Sequence, residues 1–474
     1  MKNKIAISLI VFLSGMFSIS AQNIFFKNAV DSYILAVKKK YEIPGLSLCI
    51  VKNNVVIYRN SIGLANIEHN VPIKDSSIFR VYSLTKPIIA VGVFQLIEQG
   101  KLQLDDPISK YIDDIPDAWK SIQIRYLLAH SSGLPDMKSF GGGKQPIEEK
   151  AKELAFREKI KFNTGEIYEY NQTNFWLLKL IIEKVSGENL TNFICENQFS
   201  GEQNSVFFSS DSKQIIKNRV TSYFPFSTGK MIIDLPTIEG DYMHAANGLN
   251  ITVEEFVKWD RKLKNNELLK EETKREMWKT FPFSKSNKVF TYAWDKFTLN
   301  GHDSYGFTGS LITAYRVFPK DNLSIVLLSN GLGKIYDIDD VVDKIATLVD
   351  SDIYNVQEKA VEDMYSIFKD KGFLAFKNTY DSQKEKVNKE INLERLVNSV
   401  GYKLLRNNFI DDAIKLFQFN TSEYKNSANA HDSLGEAYYT QGNFEKAKLY
   451  YKKAISLGGT NGNAKEMLDK ILKR

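Results

Sequence analysis

The 474-residue chain has few cysteines, few histidines and little net charge. Its two cysteines, Cys49 and Cys195, lie in apolar stretches and predict buried thiols rather than a disulfide framework. The five histidines include no pair at metal-ligand spacing, which argues against a zinc site, and we predict no cofactor. The net charge of +6 is small for this length and no dense basic stripe occurs, so nucleic acid is not an expected partner.

Two common functional motifs are also missing. No Gly-x-Ser-x-Gly elbow is present, which disfavours an α/β-hydrolase. The segment Gly141–Lys144 is glycine-rich, but it lacks the Ser or Thr that follows the lysine of a phosphate-binding loop, and no strand precedes it. We therefore predict a mobile loop near a cleft for this segment. The length of the chain predicts two or three domains.

Residues 1–21 have the pattern of a secretory signal peptide. Lys2 and Lys4 precede an apolar run from Ile5 to Phe17, and small residues follow as far as Ala21. A charged region, an apolar core and small residues in this order predict cleavage after Ala21. The apolar run is short for a membrane span, although a retained anchor is the alternative. We expect an exported protein, periplasmic or secreted, that does not span the membrane after cleavage.

A Ser-x-x-Lys tetrapeptide begins a long apolar helix at Ser83. Positions i and i+3 of a helix are neighbours, roughly 5–6 Å apart at Cβ, so Lys86 can lie against the serine hydroxyl and, when desolvated, lose its proton. The same spacing recurs at Ser210, Ser227, Ser366 and Ser422. Only the copy at Ser83 is followed by Pro87 and an apolar run that ends at Gly100. A helix that is apolar all round is buried, so residues 83–100 should present Ser83 to a cleft.

The region from residue 22 to residue 350 predicts an α/β unit. Strands are predicted at both of its ends and helices in its middle, so we expect the terminal strands to join one sheet. The predicted segments are a hairpin over 44–67, helices over 173–187, 252–264 and 337–349, and strands over 288–328.

The composition changes in residues 351–474, where helix formers dominate and a 34-residue repeat occurs. The repeat pairs Gly401 with Gly435, Ala413 with Ala447, and Phe417 with Tyr451. Small and aromatic residues at this spacing let two antiparallel helices nest, and residues 394–474 resemble tetratricopeptide repeats. This resemblance implies an all-α repeat domain with a protein or peptide partner. An unrelated helical bundle is the alternative.

Several motifs together resemble the serine β-lactamase-related and penicillin-binding superfamily, on the branch near class C β-lactamases, D-alanyl-D-alanine carboxypeptidases and related esterases. The motifs are Ser83–Lys86, the loop Ile122–Pro135 (IQIRYLLAHSSGLP), residues 163–187 and the segment Ala245–Leu249 (AANGL). The resemblance covers about residues 25–350. It implies an antiparallel sheet flanked by helices and a reaction through an acyl-enzyme.

The resemblance implies roles for individual residues. Ser83 corresponds to the nucleophile and Lys86 to the lysine that assists proton transfer. Tyr170 corresponds to the tyrosine of a Tyr-x-Asn motif, which acts as or shares the general base; packing alone is the alternative for this side chain. A phenolate at neutral pH needs its pKa of about 10 lowered by nearby cations, such as Lys86. Gln172 replaces the expected asparagine and keeps a carboxamide that can orient Lys86 or bind a substrate amide.

The third motif of the family, Lys-Thr-Gly or His-Thr-Gly, corresponds here to Phe307, Thr308 and Gly309. Phe307 carries no charge to bind a substrate carboxylate or to tune Tyr170. Gly309 is expected to let a substrate approach the strand. The N–H of Ser310 can form an oxyanion hole with that of Ser83. We predict a serine hydrolase, an esterase, amidase or peptidase, for a small-molecule or peptide substrate that is not strongly anionic. A non-catalytic binding or scaffold protein is the rival function.

Overall fold

The computed structural model describes residues 26–137, 147–199, 205–211, 214–225, 231–233, 240–386, 390–458 and 463–472. The predicted signal peptide and the loop Gly141–Lys144 lie outside the described residues. The chain divides after Ile353 into two units, the second of which begins at Tyr354. No helix in the described ranges is both long enough and apolar enough to cross a membrane.

The strands of the described residues all belong to the first unit. They are β1 Gly45–Lys52, β2 Val55–Asn66, β3 Val71–Pro72, β4 Phe79–Arg80, β5 Val206–Phe208, β6 Tyr223–Pro225, β7 Met231–Ile233, β8 Leu249–Ile251, β9 Asp295–Leu299, β10 His302–Gly309, β11 Thr313–Phe318 and β12 Leu323–Ser329. The predicted hairpin corresponds to β1 and β2. Asn53 and Asn54 turn it with φ of 51° and 62°, a conformation that asparagine tolerates better than most residues.

Seven of these strands form one antiparallel sheet in the order β3-β2-β1-β12-β11-β10-β9. At its centre β1 pairs with β12, with Leu46 opposite Ser329. The two ends of the unit therefore join one sheet, as predicted.

The helices of the first unit cover both faces of this sheet. They are α1 over residues 26–40, α2 Thr85–Glu98, α3 Ile124–Leu128, α4 Glu148–Arg157, α5 Thr173–Ser186, α6 Leu190–Gln198, α7 His244–Asn247, α8 Val253–Lys264, α9 Glu271–Met277 and α10 Ile338–Val349. Along β1, Leu48 and Ile50 share a core with α1 and α10, whereas Cys49 and Val51 share a larger core with α2, α5 and α8. This alternation gives the antiparallel sheet flanked by helices that the sequence predicts.

The helix predicted over 83–100 is shorter than expected at both ends. Tyr82–Leu84 form a 3-10 turn, and α2 begins only at Thr85. Ser83 thus lies in the tight turn that leads directly into α2 rather than in its first helical turn. Regular helix cannot extend further back, because Tyr82 has a φ of 48°. From Thr85 to Leu96 every residue of α2 is buried, as its apolar sequence predicts.

The second unit consists of helices. They are α11 Val356–Lys386, α12 Leu393–Arg406, α13 Ile410–Glu423, α14 Ala428–Thr440, α15 Phe444–Ser456 and α16 Ala464–Leu472. Gly372 has φ 78° and ψ −178°, so α11 is in effect two helices joined by a kink. The two repeats share the same contact between a glycine and an aromatic ring. A Cβ on Gly401 would lie 2.7 Å from the ring of Phe417, and a Cβ on Gly435 would lie 2.9 Å from that of Tyr451.

The two cysteines are free thiols. Cys49 is buried in β1, as the sequence predicts, whereas Cys195 in α6 is only partly buried. Burial raises the pKa of the Cys195 thiol to about 11, so this cysteine is not an activated nucleophile.

Candidate active site

Three side chains singled out in the sequence meet at the start of α2. The hydroxyl of Tyr170 donates a hydrogen bond of 2.6 Å to Oγ of Ser83, and Nζ of Lys86 lies 3.4 Å from the same oxygen. Ser83 is partly buried and Lys86 is fully buried. The serine hydroxyl therefore lies within reach of both a phenol and an ammonium group.

The ammonium group of Lys86 is surrounded by oxygen acceptors. Besides Ser83, Nζ donates to Oε1 of Gln172 at 3.0 Å and to the carbonyl oxygen of Ala246 at 2.8 Å. The rings of Tyr170 and Phe175 lie 4.8 and 5.0 Å from the nitrogen, at cation–π distance. These contacts hold the end of a flexible side chain at one point beside Ser83.

The phenol of Tyr170 is tuned towards its ionised form. Burial by itself raises the pKa, but the charge of Lys86 and the hydrogen bonds with Lys86, Ser83 and Gln172 outweigh it, so the pKa of Tyr170 is lowered from its usual value. The side chain as a whole is 36% exposed. The hydroxyl oxygen has Ser83, Lys86 and Gln172 as its partners.

Gln172 keeps the amide contact that the shorter asparagine would make. It is buried at the start of α5, and its backbone N–H donates to Oδ1 of Asp136 at 3.2 Å. The neighbouring Asn171 donates from Nδ2 to the carbonyl oxygen of Leu134 at 2.5 Å. The segment that carries Tyr170 is thus tied to the loop Ile122–Pro135, and the extra methylene of Gln172 still delivers its oxygen to Lys86.

Phe307 on β10 occupies the first position of the third motif with an apolar ring. It is buried, and its ring stacks on Tyr170 with centroids 6.3 Å apart and an angle of 24° between the planes. The ring of Phe290 packs against the ring of Phe307 in an edge-to-face arrangement, with centroids 6.2 Å apart. Thr308, the next residue, is partly buried opposite Ala314 of β11. The side of Tyr170 that faces β10 is therefore neutral.

Position 309 has no room for a side chain, because neighbouring atoms of the protein pack against it. A Cβ at this position would lie 2.0 Å from the carbonyl oxygen of Val81 and 2.5 Å from Oγ1 of Thr313. Within the protein, the backbone that approaches Gly309 is that of Val81. The approach of a substrate to this residue stays a prediction. Ser310 follows with φ 48° in a tight turn to β11. This packing brings the backbone around Ser310 next to the segment that leads into Ser83.

The carbonyl of Ala246 is a functional group that the sequence reading missed. The segment Ala245–Leu249 was noted as a motif, without a role for any atom. Its backbone is held against α2 and the 3-10 turn, because Leu249 donates its N–H to Oγ1 of Thr85 at 3.1 Å and accepts from the N–H of Val81 at 2.9 Å. A carbonyl leaves no signal in a side-chain pattern, so only the contact with Lys86 reveals it.

Within the described ranges, no cluster of three or more His, Cys, Asp or Glu side chains is arranged to hold a metal ion. At the start of α2, the groups positioned to act on a substrate are the hydroxyl of Ser83, the phenol of Tyr170 and the ammonium group of Lys86, together with backbone N–H donors.

The sequence matches two known protein families and several known proteins. The family model described as Beta-lactamase matches residues 30–346, and the one described as Tetratricopeptide repeat matches residues 428–461. Penicillin-binding protein 4* of Bacillus subtilis (strain 168) is 30% identical over 163 residues, which are 33% of this chain and 36% of that protein. The chain thus matches about a third of the length of this curated relative.

Solved structures share the fold of the first unit. A penicillin-binding protein homologue from Pyrococcus abyssi superposes with a TM-score of 0.59 at 22% identity, covering 71% of this chain and 81% of that one. The D-amino acid amidase of Ochrobactrum anthropi SV3 superposes with a TM-score of 0.58 at 19% identity, covering 70% and 99%. At these identities the likeness concerns the fold alone.

Proposed function

The chain belongs to the β-lactamase family, and from this premise we propose that it is a serine hydrolase that forms an acyl-enzyme on Ser83. The observation that carries the proposal is the contact of 2.6 Å between the hydroxyls of Tyr170 and Ser83, with Lys86 beside both. A phenol with a lowered pKa next to a serine hydroxyl is the arrangement that general-base activation of a weak nucleophile needs.

In the proposed reaction the Tyr170 phenolate removes the proton of Ser83 as Oγ attacks a substrate carbonyl carbon. Lys86 stabilises the phenolate before this step and shares the proton network after it. The backbone N–H groups of Ser83 and Ser310 are the proposed donors to the oxyanion. The proton on Tyr170 passes to the leaving alkoxide or amine, and water then repeats the sequence to release the acid and restore Ser83.

We propose esters, amides or peptides without a carboxylate next to the scissile bond as substrates. The support is Phe307, whose apolar ring stacks on Tyr170 at the position where the family motif implies a lysine or histidine. The loss of one charged hydrogen bond would weaken the binding of a substrate carboxylate by about 1.5–3 kcal/mol, without removing the groups that form the acyl-enzyme. Efficient cleavage of penicillins is therefore not expected.

Export and a binding role for the repeats are part of the same proposal. Export is supported by the charged and apolar pattern of residues 1–21. A protein or peptide partner for the second unit is supported by its match to tetratricopeptide repeats. The repeats would bring the hydrolase to that partner.

A non-catalytic binding protein on the same fold is the second candidate function. Phe307 and Gln172, which both depart from the family pattern, favour it. The retained trio of Ser83, Lys86 and Tyr170 favours the enzyme, because a binding site gains nothing from a serine held 2.6 Å from a tuned phenol.

Covalent labelling decides between the two. The purified protein would be exposed to a fluorophosphonate and, separately, to a penicillin, and its intact mass measured. We expect a fluorophosphonate adduct on the wild type and none on Ser83→Ala. Ser366→Ala is the matched control, since Ser366 has the same Ser-x-x-Lys spacing, and it should label like the wild type. Absence of any adduct on folded wild-type protein would favour the binding protein.

A further inference from the structure

His130 holds the backbone on both sides of Tyr170. Its carbonyl oxygen accepts a hydrogen bond of 2.8 Å from the N–H of Glu169, and its Nδ1 accepts one of 3.1 Å from the N–H of Asn171. These two N–H groups belong to the residues immediately before and after Tyr170. A single residue of the loop Ile122–Pro135 therefore fixes the position of the phenol along its segment.

The protonation of the imidazole follows from its contacts. Nδ2 of Asn174 lies 3.2 Å from Nδ1 of His130, and Oδ1 of Asn174 accepts a hydrogen bond of 2.6 Å from Oγ of Ser132. The serine contact turns the NH₂ group of Asn174 towards the ring, so Nδ1 faces two donors and carries no hydrogen. The proton of the neutral ring is on Nε2, which has no hydrogen-bond partner among the described residues.

The ring of His130 also supports the phenol directly. It is fully buried, and its centroid lies 4.7 Å from that of Tyr170, with Phe175 and Phe290 packed around it. Burial, followed by the charge of Lys86, holds the pKa of His130 well below its usual value, so the imidazole stays a neutral acceptor. The other ionisable groups around it are the phenols of Tyr168 and Tyr170.

The backbone of His130 has a φ of 53°, in the left-handed region. Residues other than glycine are uncommon there, although histidine, asparagine and aspartate adopt it more often than most, and such a conformation persists where the surrounding structure demands it. In this conformation the carbonyl and the side chain of His130 reach Glu169 and Asn171 at the same time. The left-handed backbone and the two hydrogen bonds are thus parts of one arrangement.

We infer that His130 is a positioning residue that sets the hydroxyl of Tyr170 against Ser83 through its hydrogen bonds to the flanking backbone. The inference rests on the proposed acyl transfer by Ser83 with Tyr170 as base. His130 itself transfers no proton. It keeps the phenol oxygen close enough to Lys86, Gln172 and Ser83 for the phenolate to be stabilised.

Two variants test the hydrogen bond. In His130→Asn, Oδ1 can take the place of Nδ1, and asparagine tolerates the left-handed backbone. His130→Leu fills a similar volume but offers no acceptor. We expect kcat of His130→Leu on a neutral ester to fall by about 10- to 100-fold with KM nearly unchanged, the scale of a small misplacement of a catalytic group. The kcat of His130→Asn should stay within about fivefold of the wild-type value, because the acceptor for the N–H of Asn171 is kept.

The pH profile separates positioning from general loss of structure. In His130→Leu the phenol is less well stabilised, so the acidic limb of kcat/KM should move to higher pH, whereas in His130→Asn it should stay in place. Rates would be expressed per active site titrated with fluorophosphonate. A wild-type profile and rate per titrated site in His130→Leu would overturn the inference.

Asn174→Asp provides the same test with His130 intact, should His130→Leu not fold. The isosteric carboxylate accepts where the amide donated, so Nδ1 must carry a hydrogen towards it and can no longer accept from Asn171. We expect the same shift of the acidic limb to higher pH. An unchanged limb in a folded Asn174→Asp protein would overturn the inference.

NMR separates this inference from the proposed function, because it needs no turnover. With ¹⁵N-histidine and ¹³C-tyrosine labels, the wild type should show the Nε2-protonated tautomer for His130 and a phenol pKa below 10 for Tyr170, with Tyr170→Phe used for assignment. The phenol pKa should be higher in His130→Leu. A wild type that fails to label with fluorophosphonate but shows these shifts would refute the function and support the positioning. A wild type that labels with fluorophosphonate, but whose phenol pKa does not differ from that of His130→Leu, would support the function and refute the positioning.

Discussion

The phenol oxygen of Tyr170 lies closer to Oγ of Ser83, at 2.6 Å, than does Nζ of Lys86, at 3.4 Å. The atom nearest to the nucleophile is thus the one whose ionised form is favoured. Lys86 contacts Ser83, Gln172 and the carbonyl of Ala246 together, which suits a group that stabilises charge. This ordering supports the proposal that Tyr170 takes the first proton.

Replacement of Tyr170 by Phe removes the proposed base and keeps the ring. We expect the rate of fluorophosphonate labelling to fall by about 10²- to 10⁴-fold, the usual contribution of a general base. Tyr168→Phe is the matched control. Tyr168 lies two residues earlier, and burial raises its pKa, so it should label at the wild-type rate. Equal loss in both variants, measured by intact mass over time, would refute the assignment.

Replacement of Phe307 by Lys should restore a cation beside the phenol. The acidic limb of activity should move to lower pH, because a second cation lowers the pKa of Tyr170 further and the active phenolate then persists at lower pH. Acylation by a penicillin should become at least about tenfold faster, the value of one charged hydrogen bond to the carboxylate. Phe307→Leu keeps the site neutral and should show neither effect. Equal penicillin rates in the two variants would contradict the role given to Phe307.

Alanine at Gly435 or Gly401 should destabilise the second unit. The added Cβ would lie 2.9 Å from the ring of Tyr451 or 2.7 Å from that of Phe417, and overpacking of this kind costs about 1–3 kcal/mol, partly offset by the better helix propensity of alanine. Leu449→Ala on the exposed face of α15 is the control and should change little. Urea unfolding followed by circular dichroism measures the difference. Labelling of Ser83 should be unaffected, and unchanged stability in both glycine variants would contradict the nesting of the repeats.

His244 should make the first unit less stable in acid. Burial lowers its pKa from 6.5 to about 4, so between these values the unfolded chain binds a proton that the folded chain does not. Stability is therefore lost as the pH falls from 6.5 to 4, by about 3 kcal/mol. His130 contributes in the same direction, so the wild type must be compared with His244→Gln. The variant should show a shallower fall in unfolding free energy over this range, and identical slopes would contradict the prediction.

Much of the fold could be predicted because its signals are local. The apolar run after Ser83 predicts a buried helix whatever packs around it, and Gly187 ends α5 in the left-handed conformation that glycine allows. The 34-residue repeat is visible because each glycine faces an aromatic residue of the adjacent helix in its own repeat. The sequence predicts the start of α2 two residues too early, because a helical pattern does not distinguish the 3-10 turn of Tyr82–Leu84 from a first α-helical turn.

The candidate site could be predicted only as far as side chains reveal it. Ser83, Lys86 and Tyr170 were found because a motif needs their chemistry. The carbonyl of Ala246 was missed, because every residue has one and only the fold decides which reaches Lys86. Gly309 was given a role towards substrate, whereas its contact with Val81 becomes visible only when two distant segments pack together.

The pairing of β1 with β12 has a kinetic consequence. Strands from opposite ends of the first unit form the centre of its sheet, so the chain must close a very long loop before this pair can gain any stabilisation. A topology of such high contact order folds slowly. Until β12 has been synthesised and has paired with β1, one edge of the apolar strand β1 has no partner and can pair with other chains. We therefore expect aggregation during refolding to depend steeply on protein concentration, and chains truncated before β12 to be its most aggregation-prone form.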